Sequence, residues 1–117
     1  MRGYHYSILQ YRPSEWKDEL VNIAAIVQVL DTGEVFCKGD PNLPRLRRFF
    51  PEANHACVWF MAGAIIESLS GKHGADYLIE MAKQQKGGCL ILRDACGGIS
   101  KDPENEVERI YRQFCED

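Results

Sequence analysis

The sequence lacks closely spaced pairs of cysteines. A zinc site usually has two cysteines a few residues apart, and a secreted disulfide framework usually has an even number of them. This chain has five cysteines, and no two of them are close together. We therefore expect free thiols in a cytoplasmic protein that has no metal site and no cofactor. The cysteines are Cys37, Cys57, Cys89, Cys96 and Cys115.

Long hydrophobic runs are also missing. The longest apolar run, residues 56–66, has 11 residues, whereas a helix needs about 20 to cross a membrane. The residues after Met1 and Arg2 are polar and aromatic, which is unlike the apolar segment of a signal peptide. We expect neither a membrane span nor a signal peptide.

The chain has no excess of positive charge. It has 14 Lys and Arg against 17 Asp and Glu, a formal net charge of −3. Nucleic-acid binding depends on clustered Lys and Arg, so a nucleic-acid partner is not expected. The one basic cluster is Arg45, Arg47 and Arg48 in a short predicted helix. These arginines are either contacts for an acidic or phosphate-bearing partner or the solvated outer face of that helix.

Recognisable catalytic patterns are absent from the sequence. Cys96 lies in a glycine-containing segment, but a catalytic cysteine needs a paired histidine or positive surroundings. None of the three histidines, His5, His55 and His73, stands in a pattern that places it beside this cysteine. We therefore expect no catalytic residue.

The 117 residues suffice for one domain, and their patterns predict an α+β fold. A three-strand antiparallel meander is expected over residues 4–11, 20–30 and 34–38, with a fourth strand over 89–92 and a loop over 94–101. In the second strand, strict alternation puts Val21, Ile23, Ala25, Val27 and Val29 on one face.

Three to four helices are predicted to cover one face of this sheet. A long helix begins after Asn54, and its first turns are apolar on all sides, which predicts burial on most sides. The last helix follows Asp102 and Pro103 and has Val107, Ile110, Tyr111 and Phe114 on one face. The short arginine helix is predicted to direct Leu46, Phe49 and Phe50 inward.

Asn22 lies inside the most apolar run of the N-terminal region. Because a buried amide without partners costs about 1–3 kcal/mol, we expect it to be hydrogen-bonded. One interpretation places Asn22 in a ligand site with Glu19 and Arg12. The other, which we favour, makes it a structural residue that bonds loop backbone.

Trp16 lies among charged residues in the connector between the first two strands. An exposed tryptophan is typical of protein interfaces. We therefore predict Trp16 as a partner contact, together with Arg45, Arg47 and Arg48.

Residues 6–13 (YSILQYRP) and 19–24 (ELVNIA), with 49–51 (FFP) and 108–111 (ERIY), resemble a family of short bacterial and phage proteins known as domain of unknown function 3037. Two positions depart from the family's pattern, with Gln10 in place of Arg and Ala24 in place of Gly. If that Arg belongs to a site in the family, the site is altered in this chain. The resemblance implies a shared fold more than an activity.

The resemblance also implies partners. Relatives are encoded near HipA-like kinases, which suggests a regulatory partner role, and phage-borne members suggest action against host defence proteins. We thus expect a non-enzymatic interaction or regulatory module that binds a partner protein, with a homodimer as one form. The alternatives are a small enzyme or ligand-binding domain with a site near Asn22, a phage-encoded inhibitor, and a nucleic-acid binder.

Overall fold

Two long neighbouring strands, β1 (Arg2–Tyr11) and β2 (Val21–Val29), form the centre of the fold. The structure, a computed structural model, describes residues 1–12, 20–71, 73–83, 89–93 and 95–116. These residues form a five-stranded antiparallel sheet and four α-helices, so the predicted α+β class and the N-terminal meander are confirmed. The other strands are β3 (Val35–Gly39), β4 (Leu90–Leu92) and β5 (Cys96–Ser100).

The predicted fourth strand is extended by a fifth strand along the same side of β1. Leu92 of β4 pairs with Leu9, and Cys96 of β5 pairs with Tyr6, so the two short strands run in line against β1. The prediction of a loop over residues 94–101 is therefore wrong for 96–100. β5 forms despite its two glycines because Gly98 lies against the ring of Tyr4, where an added Cβ would come within 2.5 Å of that ring.

β2 contains an irregularity that the alternating pattern did not predict. Leu9 pairs with Ala24 but the next residue, Gln10, pairs with Asn22, so Ile23 is an extra residue at a bulge. A bulge reverses which residues face each side of the sheet. Accordingly Ile23 packs in one hydrophobic cluster, whereas Ala25 and Val27 pack in the other, and the predicted continuous face is wrong.

Helices cover both faces of the sheet, not one face as predicted. The helices are α1 (Pro44–Phe49), α2 (His55–Leu69), α3 (Gly74–Lys83) and α4 (Glu106–Phe114), the last preceded by a 3₁₀ turn (Pro103–Asn105). Leu46 of α1 and Val58 of α2 share a cluster with Leu9, and Leu78 of α3 packs against it. Ile110 of α4 shares the second cluster with Ile8, the neighbour of Leu9 in β1. Since adjacent strand residues point to opposite faces, α4 lies across the sheet from the other helices.

The predicted beginning of α2 agrees with the structure, whereas α4 begins at Glu106 and not at the predicted Pro103, and the Asp102 side chain makes no capping hydrogen bond. The Asn54 side chain accepts a hydrogen bond from the backbone N–H of Cys57 at 3.0 Å and caps α2. In α4 the predicted residues Val107, Ile110 and Tyr111 are buried. None of the helices described is long and apolar enough to cross a membrane.

Candidate functional site

Asn22 connects the central sheet to the end of α4. Its amide donates to the backbone oxygen of Phe114 at 2.9 Å, and its side-chain oxygen accepts from the Gln10 amide at 2.8 Å. The last carbonyls of a helix have no partner within the helix, so Asn22 supplies one from the neighbouring strand. The bulge at Ile23 places Asn22 on the α4 side, because strict alternation would put the amide on the opposite face, with Ala24 and Ile26.

An aromatic and polar group surrounds this contact. The ring of Phe114 stacks on Tyr6 at a centroid distance of 6.0 Å, and the Arg93 guanidinium lies 5.6 Å from the centre of the Phe114 ring. Burial, followed by a hydrogen bond with Cys96, raises the pKa of the Tyr6 phenol. The phenol therefore stays neutral at physiological pH, which suits a packing role.

The other two residues of the predicted polar site are Arg12 and Glu19. The backbone N–H of Arg12 donates to the Cys89 oxygen at 2.7 Å, which extends the pairing of β1 with β4. Glu19 lies outside the described residues. The structure thus brings Asn22 together with Gln10 and Phe114, a set that the sequence pattern did not indicate.

The three arginines of the cluster differ in their contacts. Arg45 donates to the backbone oxygen of Glu116 at 3.4 Å, and Arg47 donates to the backbone oxygen of Asn42 at 2.6 Å. Arg48 is exposed, and its guanidinium lies 5.4 Å from the centre of the Phe49 ring.

Phe49 is 56 % exposed, so its predicted inward orientation is wrong. α1 ends at this residue, and the non-helical backbone of Phe50 lets that second phenylalanine pack against the core in its place. Trp16, the other predicted partner contact, lies outside the described residues.

Further large apolar side chains are exposed on α2 and α3. Phe60 in the middle of α2 is 78 % exposed, and Ile79 and Tyr77 of α3 are also exposed. The predicted burial of α2 on most sides is therefore wrong. We call Phe49, Phe60, Tyr77 and Ile79 the outer helical surface.

The helical period alone predicts that Phe60 is exposed. The residue lies two positions from both Val58 and Ala62, which are buried, and two positions rotate a helix by about 200°. Phe60 consequently lies opposite the buried stripe. A helix that is apolar on all sides is fully buried only if neighbouring elements cover every side. Within the described chain the sheet covers one side of α2, which leaves Phe60 exposed on the other side.

Comparison with known proteins gives one match. The sequence model of a family described as protein of unknown function (DUF3037) matches residues 6–115, nearly the whole chain. The matched span includes β2 with Asn22, the outer helical surface and the whole of α4. Neither a curated protein nor a solved structure matches the chain.

Proposed function

The chain belongs to the DUF3037 family, and we propose that it is a non-enzymatic module that binds a partner protein through its outer helical surface. The family description gives no activity, so the proposal rests on the physical character of this surface. It makes the protein a regulatory or inhibitory component of a complex.

The observation that carries the proposal is the exposure of Phe60. A phenylalanine that is 78 % exposed in the middle of a well-formed helix gains little burial energy from the fold of its own chain. Aromatic side chains of this kind are typical of interface centres, where burial against a partner supplies much of the binding energy. Phe49 of α1 and Ile79 of α3, 56 % and 52 % exposed, offer further apolar area on the same side of the sheet.

Arg48 and Phe49 add a second kind of contact. Arginine and aromatic residues are both enriched among the residues that dominate binding energies, and here the guanidinium lies against the ring. Arg45 and Arg47 support this arrangement because their hydrogen bonds join α1 to Glu116 and to Asn42 in the preceding turn. Trp16 remains a predicted contact of the same module.

The hydrogen bonds of Asn22 support a structural role for that residue. Both described bonds join elements of the protein, β1 through Gln10 and α4 through Phe114. The alternative of an enzyme or ligand site at Asn22 has no comparable contact in its favour.

The proposal also covers the identity of the partner and the compartment in which the protein acts. A HipA-like kinase and a host defence protein are the partners that the family resemblance implies, in a bacterium or on a phage. The five free cysteines support action in the reducing cytoplasm, and the net charge of −3 favours a protein over a nucleic acid as partner.

The test is affinity purification of the tagged protein from its native host, with mass spectrometry of the proteins that co-elute. A Phe49→Ser, Phe60→Ser double variant should lose the partner while its melting temperature stays almost unchanged, because both side chains are exposed.

A matched control removes the same kind of apolar surface elsewhere. Leu30 and Ile99 are exposed at the end of β2 and in β5, so a Leu30→Ser, Ile99→Ser variant should keep the partner. Loss of the partner in the control, with retention in the helical variant, would refute the proposed surface.

A further inference from the structure

The exposed face of α2 carries almost no charge. The helix has 15 residues, of which Glu67 is the one carboxylate, and it contains no lysine or arginine. A helix face in contact with water normally presents several charged side chains, whereas interface centres are depleted of charge. This face therefore has the composition of a surface that another protein covers. Its exposed residues are Ala56, Cys57, Phe60, Ala64, Glu67 and Ser68.

Large and small side chains alternate along the middle of this face. Ala56, Phe60 and Ala64 are four residues apart, so they form one ridge along the helix. When two copies of α2 cross in antiparallel directions, Phe60 of each copy can lie over Ala64 of the other. A twofold axis midway between the two residues makes both contacts at once, as an interface between identical copies requires.

Gly63 is an independent sign that another element approaches α2 closely. A glycine inside a helix destabilises it relative to alanine. Among the described residues of its own chain, a Cβ added to Gly63 would meet only the Trp59 ring of the same helix, at 3.9 Å. The fold of one chain therefore leaves room for a larger residue here. Gly63 lies one residue from the twofold axis, where its small size lets two helices come together.

Glu67 is unfavourably placed within its own helix. It lies in the last turn of α2, at the negative end of the helix dipole, and the first turn of this fully described helix has no carboxylate. The same twofold axis places Glu67 of each copy opposite Cys57 of the other, in the first turn. Each carboxylate then faces the positive end of the neighbouring dipole. The charge that opposes a single α2 thus stabilises an antiparallel pair.

We propose that in the free protein two copies of this chain pair through α2, antiparallel about a twofold axis midway between Phe60 and Ala64. Because α2 is only about 22 Å long, the contact is smaller than a standard interface of roughly 800 Å² per partner, and the dimer is weak and reversible. A second copy and a partner protein both need Phe60, so a partner displaces the second copy. The inference shares this residue with the proposed function but does not rest on it.

Sedimentation equilibrium of the full chain under reducing conditions tests the dimer. The parent should dimerise with a dissociation constant in the micromolar range. Phe60→Ser should weaken the dimer by at least about tenfold, because the large side chain at the centre of the contact is lost. The Leu30→Ser, Ile99→Ser variant removes exposed apolar surface away from α2 and should dimerise like the parent.

A disulfide tests the antiparallel arrangement. Glu67→Cys places a thiol opposite Cys57 of the second copy. Within one helix the two positions are ten residues, about 15 Å, apart, which is beyond the Cα separation of about 7 Å that a disulfide spans. Oxidised glutathione should therefore give a covalent dimer of the Glu67→Cys protein on a non-reducing gel. The parent, and Glu67→Cys combined with Cys57→Ser, should remain uncrosslinked.

Three results would overturn the proposal. They are a parent that stays monomeric at all concentrations up to the millimolar range, a Phe60→Ser protein that dimerises like the parent, and crosslinking of Glu67→Cys that does not depend on Cys57. A monomeric parent that still captures a partner in its native host would leave the proposed function intact. Failure of the dimer and failure of the proposed function are therefore distinguishable.

Discussion

The direction in which the Asn22 side chain points depends on the extra residue beside it in β2, Ile23. The bulge at Ile23 turns the asparagine toward α4, where its amide bonds the Phe114 carbonyl. The sequence indicated that Asn22 must be hydrogen-bonded, because it interrupts an apolar run. It did not indicate the partners, since α4 is more than ninety residues away along the chain and bulges have no strong sequence signature.

Replacing Asn22 tests this structural role. Asn22→Ala removes the bonds to Gln10 and Phe114 and leaves partly buried groups unpaired, so the free energy of unfolding should fall by about 1–3 kcal/mol. Urea denaturation followed by circular dichroism measures the change.

Asn105 offers a control for the loss of an asparagine. It is exposed at the start of α4, and its side chain makes no capping hydrogen bond. Asn105→Ala should change the free energy of unfolding by less than about 0.5 kcal/mol. An Asn22→Ala protein as stable as this control would show that the hydrogen bonds do not hold α4 in place.

At the scale of elements, predictability followed the strength of the local pattern. The beginning of α2 was predicted from its capping residue Asn54, and the buried face of α4 was predicted from its helical spacing. β5 was missed because glycine has a low strand propensity. Its formation depends on the side of β1 left open beyond β4 and on the Tyr4 ring, neither of which is visible in residues 96–100.

Gly98 provides the test of this packing. A Cβ at this position would lie 2.5 Å from the Tyr4 ring, so Gly98→Ala should displace the ring or β5. We expect a loss of about 1–3 kcal/mol in the free energy of unfolding, measured by chemical denaturation.

The neighbouring Gly97 is a close control. A Cβ there would be 3.7 Å from His5, an ordinary contact distance. Gly97→Ala should therefore have little effect on stability, within about 0.5 kcal/mol. Equal effects of the two substitutions would mean that Tyr4 does not pack against β5 as described.

At the scale of the whole molecule, the sheet has a helical layer on each face, and the two layers differ in character. The layer of α1, α2 and α3 exposes Phe49, Phe60 and Ile79, whereas α4 borders a cavity whose lining includes Asp40, Glu108 and Glu116. Sequence patterns predicted the helices but not their arrangement, because the bulge in β2 puts Val21 and Ile23 on a different face from Ala25 and Val27. Which apolar residues stay exposed depends on that arrangement.

The central claim is that a partner protein covers the outer helical surface. The most direct measurement is photocrosslinking in the native host from p-benzoylphenylalanine placed at Phe60, with the same group at Ile99 as the reference position. We predict an adduct of one defined mass from position 60 and none from position 99. An adduct from position 99 alone, or from neither position, would contradict the claim.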